Sequence, residues 1–187
     1  MLKITILTAM ICATTWATNV TFQGKKVELN GSGLNIGDKA PLFMAVDENL
    51  KEIKVGGQNS KIQVIAFVPS LDTGVCKLET IEFNKKISKM KNVEVKIVSK
   101  DLPFAIGRFC HDNDIKNVVT LSDYKDQNNA LRYGTTISSP VFLEGLFARV
   151  VYITDMSGKI IYKETVKEIT TEPNYNKIID VIKSIDK

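Results

Sequence analysis

The chain has 187 residues, of which 44% are hydrophobic and 25% charged, the composition of an ordinary globular protein with one well-cored domain. Its formal net charge is +4, but the lysines alternate with acidic residues and form no basic block. These values argue against binding to nucleic acid or to a membrane surface through charge, and no segment is acidic or rich enough in glycine and proline to be disordered.

The first residues show the three parts of a secretory signal peptide. A single Lys3 precedes an apolar stretch from Ile4 to Ala13, and the small residues around Ala17 fit a cleavage site. The apolar core is too short to span a bilayer, and the alternatives are a membrane anchor or a cytosolic strand. We therefore predict a cleaved signal peptide over residues 1–17, a single domain over residues 18–187, and a periplasmic or secreted location.

Cleavage would leave two of the three cysteines, Cys76 and Cys110. Thiols tend to pair in an oxidising compartment, so the two predict either a structural disulfide or a working redox pair. The count alone does not decide between these interpretations.

The first half of the mature chain predicts a hairpin, a central strand and a helix. Two β-prone runs flank Gly24, and a glycine-containing loop follows them. Ile62–Val68 is a continuous apolar run, which is typical of a strand buried on both faces. An amphipathic helix of about four turns comes next, with an apolar stripe formed by Leu78, Ile81, Ile87 and Met90.

The second half alternates short strands and helices. We predict strands at Val93–Val98, Val118–Leu121, Ala148–Ile153 and Ile160–Val166, the last two joined as a hairpin, and helices at Phe104–Cys110, at Gln127–Tyr133 and after Thr171. This order predicts an α/β protein of thioredoxin-like fold, with a central mixed β-sheet flanked by helices.

The turn PSLDTGVC, residues 69–76, places a cysteine where a strand passes into a helix. Cys76 would lie in the first helical turn, where unpaired N–H groups and the helix dipole favour the nucleophilic thiolate. Thr73 precedes it by three residues, so its hydroxyl would lie beside the sulfur. Pro69 would stiffen and shield the loop. The alternative is a buried cysteine beside a capping threonine.

The whole string resembles the P-x-x-x-T-x-x-C signature of the peroxiredoxins, and more narrowly their bacterial thiol peroxidase branch. Further segments resemble that branch in the same order along the chain, from the opening hairpin onwards: SKDLPFAIGRFC (99–110), TLSDYKD (120–126), LFARVVYITD (146–155) and EITTEPNY (168–175). The resemblance extends from about Val20 to the C-terminus.

The resemblance implies specific roles for these residues. Cys76 would be the peroxidatic cysteine, with Thr73 as its hydroxyl partner and Arg149 as the guanidinium of the site. Cys110 would be the resolving cysteine, which forms an intramolecular disulfide with Cys76. The family also implies hydroperoxide substrates, a thioredoxin-like reductant, a homodimer, and neither a cofactor nor a metal. The loop Val141-Phe142-Leu143 is bulkier than the family pattern, which would affect substrate preference or the dimer surface.

Three other classes of protein compete with this interpretation. A disulfide-exchange protein would carry C-x-x-C at the helix start, where this chain has a solitary Cys76. A metal chaperone would carry clusters of cysteine and histidine, and His111 is the only histidine. A non-catalytic secreted domain with a structural bridge between Cys76 and Cys110 is the third class.

Overall fold

The computed structural model describes residues 19–31, 33–125 and 130–185. The predicted signal peptide lies outside the described residues, as do the first three residues of the predicted helix Gln127–Tyr133. Its last four residues form a 3-10 turn, Ala130–Tyr133. Gly134 follows with a φ of 63°, a conformation that favours glycine and ends the turn.

Among the described residues, ten strands and three α-helices make up the fold. The strands are Val20–Phe22 (β1), Lys25–Leu29 (β2), Phe43–Asp47 (β3), Glu52–Val55 (β4), Ile62–Phe67 (β5), Val93–Ser99 (β6), Val119–Ser122 (β7), Ile137–Ser139 (β8), Val150–Thr154 (β9) and Ile160–Thr165 (β10). The helices are Gly74–Glu82 (α1), Pro103–Asp112 (α2) and Tyr175–Ile185 (α3).

The central sheet has seven strands in the order β10-β9-β5-β6-β7-β3-β4. Strand β5 is parallel to β6 and antiparallel to β9, and all six of its residues are buried. Its side chains alternate between two apolar clusters, with Val64 in one and Ile65 in the other. The predicted central strand, buried on both faces, is therefore confirmed.

The two apolar clusters cover opposite faces of this sheet. One contains side chains from all three α-helices, including Cys76, Ile106 and Ile178. The other contains Val20 and Val27 of the predicted N-terminal hairpin, in which β1 and β2 pair antiparallel. Strand β8 extends the hairpin to a second, three-stranded sheet. No helix among the described residues is both long and apolar enough to cross a membrane.

The helix after the central strand has the predicted length, but its buried face only partly matches the predicted stripe. Helix α1 continues into a π-helical turn, Phe83–Ile87. The predicted stripe is wrong at Leu78, which is 51% exposed. Ile87 is buried as predicted, and Ile81 and Met90 pack against the core. The buried face also carries four residues outside the predicted stripe, which are Cys76, Glu79, Thr80 and Phe83. Two of these residues are polar, so apolar periodicity alone could not identify the face.

The C-terminal helix begins later than predicted. Helix α3 starts at Tyr175, and the Asn174 side chain accepts a hydrogen bond from the Lys177 amide at 3.0 Å, as an N-cap residue does. The Thr171 hydroxyl instead donates to the Glu168 carbonyl at 2.8 Å. Thr171 therefore closes a turn that precedes the helix.

Strands β3 and β4 were not predicted from the sequence. They form an antiparallel hairpin at the edge of the sheet, and β3 also pairs with β7. Leu50 in their turn has a φ of 64°, a conformation that β-branched and bulky residues rarely adopt. The turn therefore lacks the glycine that would have marked it in the sequence.

Candidate active site

The turn between β5 and α1 places Cys76 as the third residue of the helix. Thr73 is the N-cap residue in an extended conformation, and its carbonyl accepts the Lys77 amide at 3.0 Å, which closes the first helical turn. The Cys76 side chain is fully buried. Local sequence thus positions this thiol beside the unpaired N–H groups of a helix start, as predicted.

Asp101 holds this turn in place from the end of the neighbouring strand β6. One carboxylate oxygen accepts the Ser70 hydroxyl at 2.7 Å, and the other accepts the Leu71 amide at 2.7 Å. The Thr73 hydroxyl donates to the Ser70 carbonyl at 3.0 Å, and Pro69 before it is buried. The sequence predicts a Thr73 hydroxyl that donates to the thiolate or holds a substrate oxygen, whereas in the structure it donates to this backbone carbonyl.

Arg149 reaches Cys76 from the strand next to β5. Phe67 and Val150 are register partners in β5 and β9, so the residue before Val150 lies beside the turn that follows β5. Nη2 of Arg149 donates to Sγ of Cys76 at 3.4 Å. The carbonyl of Ile169 accepts Nε at 3.1 Å and Nη2 at 2.9 Å, which fixes the plane of the guanidinium.

Glu79 completes the site, and sequence reasoning missed it. It lies one helical turn after Cys76, is fully buried, and accepts a hydrogen bond from Nη1 of Arg149 in an ion pair. Burial raises the pKa of Glu79 to about 7 against the opposing effect of Arg149. Burial alone would lower the pKa of Arg149, but Glu79 and then Cys76 more than offset it and raise that pKa. The guanidinium therefore stays charged beside the sulfur.

Cys110 lies near the end of α2, and its thiol points to strand β7. Its Sγ is 3.0 Å from Oγ1 of Thr120, and both cysteines are free thiols. Burial raises the pKa of Cys110, the Thr120 hydroxyl opposes this, and Glu48 adds to the increase. The structure thus brings Arg149 to Cys76 and holds Cys110 on a separate helix.

A groove of about 290 Å³ runs between the start of α1 and helix α2, with Thr73, Lys77 and Arg108 in its wall. His111 points away from the fold, 3.0 Å from the carboxylate of Asp112. Within the described part of the chain, no group of three or more potential side-chain ligands could hold a metal ion.

Comparisons with known proteins identify the family. The family model Redoxin matches residues 35–179. A thiol peroxidase of Aquifex aeolicus is 43% identical over 169 residues, which cover 90% of this chain and 99% of that protein. A thiol peroxidase of Bacillus subtilis is 39% identical over 168 residues, which cover 90% of this chain and 98% of that protein.

Solved structures agree with this assignment. A crystal structure of a peroxiredoxin-like protein from Aquifex aeolicus has a TM-score of 0.85 at 43% identity, covering 88% of this chain and 95% of that one. The thiol peroxidase from Chromobacterium violaceum has a TM-score of 0.81 at 18% identity over 89% of this chain and 96% of that one, and shares the fold. The predicted thioredoxin-like fold is therefore confirmed, and this chain belongs to the redoxin family as a thiol-dependent peroxidase of the peroxiredoxin type.

Proposed function

We propose that Cys76 is the residue that reduces the peroxide, and that hydrogen peroxide and organic hydroperoxides, both alkyl and lipid, are its substrates. The observation that carries this proposal is the buried contact between Nη2 of Arg149 and Sγ of Cys76 at 3.4 Å. A fixed guanidinium beside the sulfur favours the thiolate and places a donor where an oxyanion develops.

In the first step the Cys76 thiolate attacks the terminal oxygen of the hydroperoxide. An S–O bond forms and the O–O bond breaks. The departing oxygen takes a proton and leaves as an alcohol or as water. The sulfur is oxidised by two electrons to the sulfenic acid, and the peroxide is reduced by the same two electrons. Arg149 stabilises the negative charge that develops on the oxygens, and Thr73 and Pro69 shape the turn around them.

In the second step Cys110 condenses with the sulfenic acid. Its sulfur bonds to that of Cys76, the S–O bond breaks, and the hydroxyl leaves as water with the proton of the Cys110 thiol. A disulfide requires Cα atoms within about 7 Å of each other. Because Cys76 is fully buried in α1 and the Cys110 thiol faces β7, we propose that both segments unwind locally in each cycle.

A thioredoxin-like dithiol protein would then reduce the Cys76–Cys110 disulfide by thiol–disulfide exchange and become oxidised itself. The N-terminal segment supports export to the periplasm or beyond, where such a donor would have to operate. The loop Val141–Leu143 supports a homodimer, because Val141 is 83% and Phe142 is 70% exposed. Apolar side chains this exposed are common where a protein surface is covered by a partner.

One experiment tests the assignment of both cysteines. The reduced protein receives one equivalent of peroxide and is analysed by intact-mass and peptide mass spectrometry. We expect one intramolecular disulfide between Cys76 and Cys110, no consumption of peroxide in Cys76→Ser, and a sulfenic acid on Cys76 in Cys110→Ser. A structural bridge would instead leave peroxide consumption intact in Cys76→Ser. The mass of the exported protein would also test cleavage after residue 17.

A further inference from the structure

The thiol of Cys110 contacts a buried residue, Thr120, in the central sheet. Thr120 is 1% exposed and lies in the middle of β7, which pairs with β6 on one side and with β3 on the other. Its hydroxyl lies 3.0 Å from the Cys110 sulfur. The bond therefore joins the end of α2, which must open for disulfide formation, to the central sheet.

Opening of α2 would break this bond and leave the Thr120 hydroxyl without the partner that it has in the closed state. A hydroxyl that stays buried after it loses its partner carries a desolvation cost, so the bond stabilises the closed position of α2 relative to the open one. Any change that removes the hydroxyl while preserving the volume should shift the helix toward opening.

We propose that Thr120 is a positioning residue that holds the resolving cysteine against β7 and thereby sets how readily α2 opens for disulfide formation. This proposal rests on the role proposed above for Cys110. In this role Thr120 acts only through the cysteine that it holds.

The closed position also keeps the Cys110 thiol in its less reactive form. Burial and the nearby Glu48 both raise the pKa of Cys110, which disfavours the thiolate that attacks the sulfenic acid. When α2 opens, the thiol gains access to water and leaves the vicinity of Glu48. Opening of α2 thus both lets the Cys110 sulfur approach Cys76 and favours the thiolate form of Cys110.

The strength of this attachment has a consequence for oxidative damage. While α2 is closed, the sulfenic acid on Cys76 persists and a second hydroperoxide can oxidise it to the sulfinic acid, with release of a second alcohol or water. A stronger attachment should therefore slow disulfide formation and increase the sulfinic product. A weaker one should do the opposite.

Thr120→Val tests the proposal, with Thr120→Ser as the variant that keeps the hydroxyl. The matched control is Thr154→Val, since Thr154 is also fully buried in the sheet and its hydroxyl has no hydrogen-bond partner among the described residues. Labelling of Cys110 by iodoacetamide is measured in a Cys76→Ser background, so that it reports helix opening without peroxide chemistry. We expect labelling about three- to tenfold faster in Thr120→Val, the range that loss of one hydrogen bond gives, and unchanged in the other two.

The full cycle is then followed in chains that keep both cysteines. Single-turnover disulfide formation should accelerate by a similar factor in Thr120→Val, the fraction of sulfinic Cys76 should fall, and the rate of the first reaction with peroxide should not change. If Thr120→Val proves unfolded, Thr120→Ala removes the same hydroxyl. Labelling of Thr120→Val, or of Thr120→Ala in its place, at the rate of the Thr154→Val control would overturn the proposal. A wild-type chain that forms no Cys76–Cys110 disulfide would instead refute the role of Cys110, which the labelling rates do not test.

Discussion

Arg149 and Glu79 form an ion pair in which both side chains are almost completely withdrawn from solvent. The pair joins the residue before strand β9 to helix α1 across 70 positions of the chain. It orients the guanidinium that contacts Cys76, so the chemistry of the site depends on a contact between two buried charges.

Removing the charge of Glu79 should change how stability depends on pH. Because the pKa of Glu79 is raised from 4.5 to about 7, the folded state binds more protons than the unfolded state between these values. The free energy of unfolding therefore loses a contribution as pH rises through this window. Urea unfolding at about pH 5 and about pH 8 should show a larger wild-type advantage over Glu79→Gln at the lower pH. An equal difference at both pH values would contradict the raised pKa.

Replacing Arg149 should slow the reaction of Cys76 with peroxide and lower the stability of the fold. Arg149→Met removes the donor to Cys76, and we expect a loss of about 10²–10³ in the second-order rate constant, as for other single donors to a developing oxyanion. Glu79 would also lose its partner, so stability should fall by about 3–5 kcal/mol. Stopped-flow kinetics and urea unfolding measure the two effects. Arg132→Met, at an exposed position, is the control and should change neither.

Asp101 should determine how well the turn before Cys76 is ordered. Asp101→Asn keeps the size of the side chain but offers one carbonyl oxygen in place of two for the Ser70 hydroxyl and the Leu71 amide. We expect a loss of about 1–3 kcal/mol in the free energy of unfolding, because one buried donor is left unpaired. Asp72→Asn, in the exposed part of the same turn, should have almost no effect.

Glu168 should attach the N-terminal hairpin to the segment that holds Arg149. Burial alone would raise its pKa, but hydrogen bonds from Gly24, Thr170 and Thr21 more than offset this and lower the pKa to about 2. A lowered carboxyl pKa contributes stability above its unfolded value, and this contribution is lost as pH falls from about 4.5 toward 2.

Thermal unfolding between about pH 6 and about pH 3 should therefore show a shallower decline in Glu168→Gln than in the wild type. Glu28→Gln removes a carboxylate from an exposed ion pair with Lys26 and should leave the wild-type slope unchanged. Parallel pH profiles of Glu168→Gln and the wild type would be evidence against this role of Glu168.

Local patterns predicted most of the elements that carry the site. The apolar run Ile62–Val68, the turn after it and the helix that begins beyond Thr73 are encoded by neighbouring residues, because secondary structure and capping act over a few positions. The residue types around Cys76 likewise predicted a cysteine in the first turn of that helix, which the structure confirms. The hairpin β3–β4, which was not predicted, and the late start of α3 lacked such local signals.

The polar partners of the site could be assigned only in the folded chain. The sequence predicted no role for Glu79, which is buried in an ion pair with Arg149, 70 positions away in the chain. Thr120 received no role, because its contact with Cys110 exists only when α2 packs on β7. By itself, the sequence determined which residues could be reactive, since reactivity at a helix start is local. The tertiary structure decided which charges and hydroxyls surround them, because a buried polar group needs a partner and chain folding alone determines which one it meets.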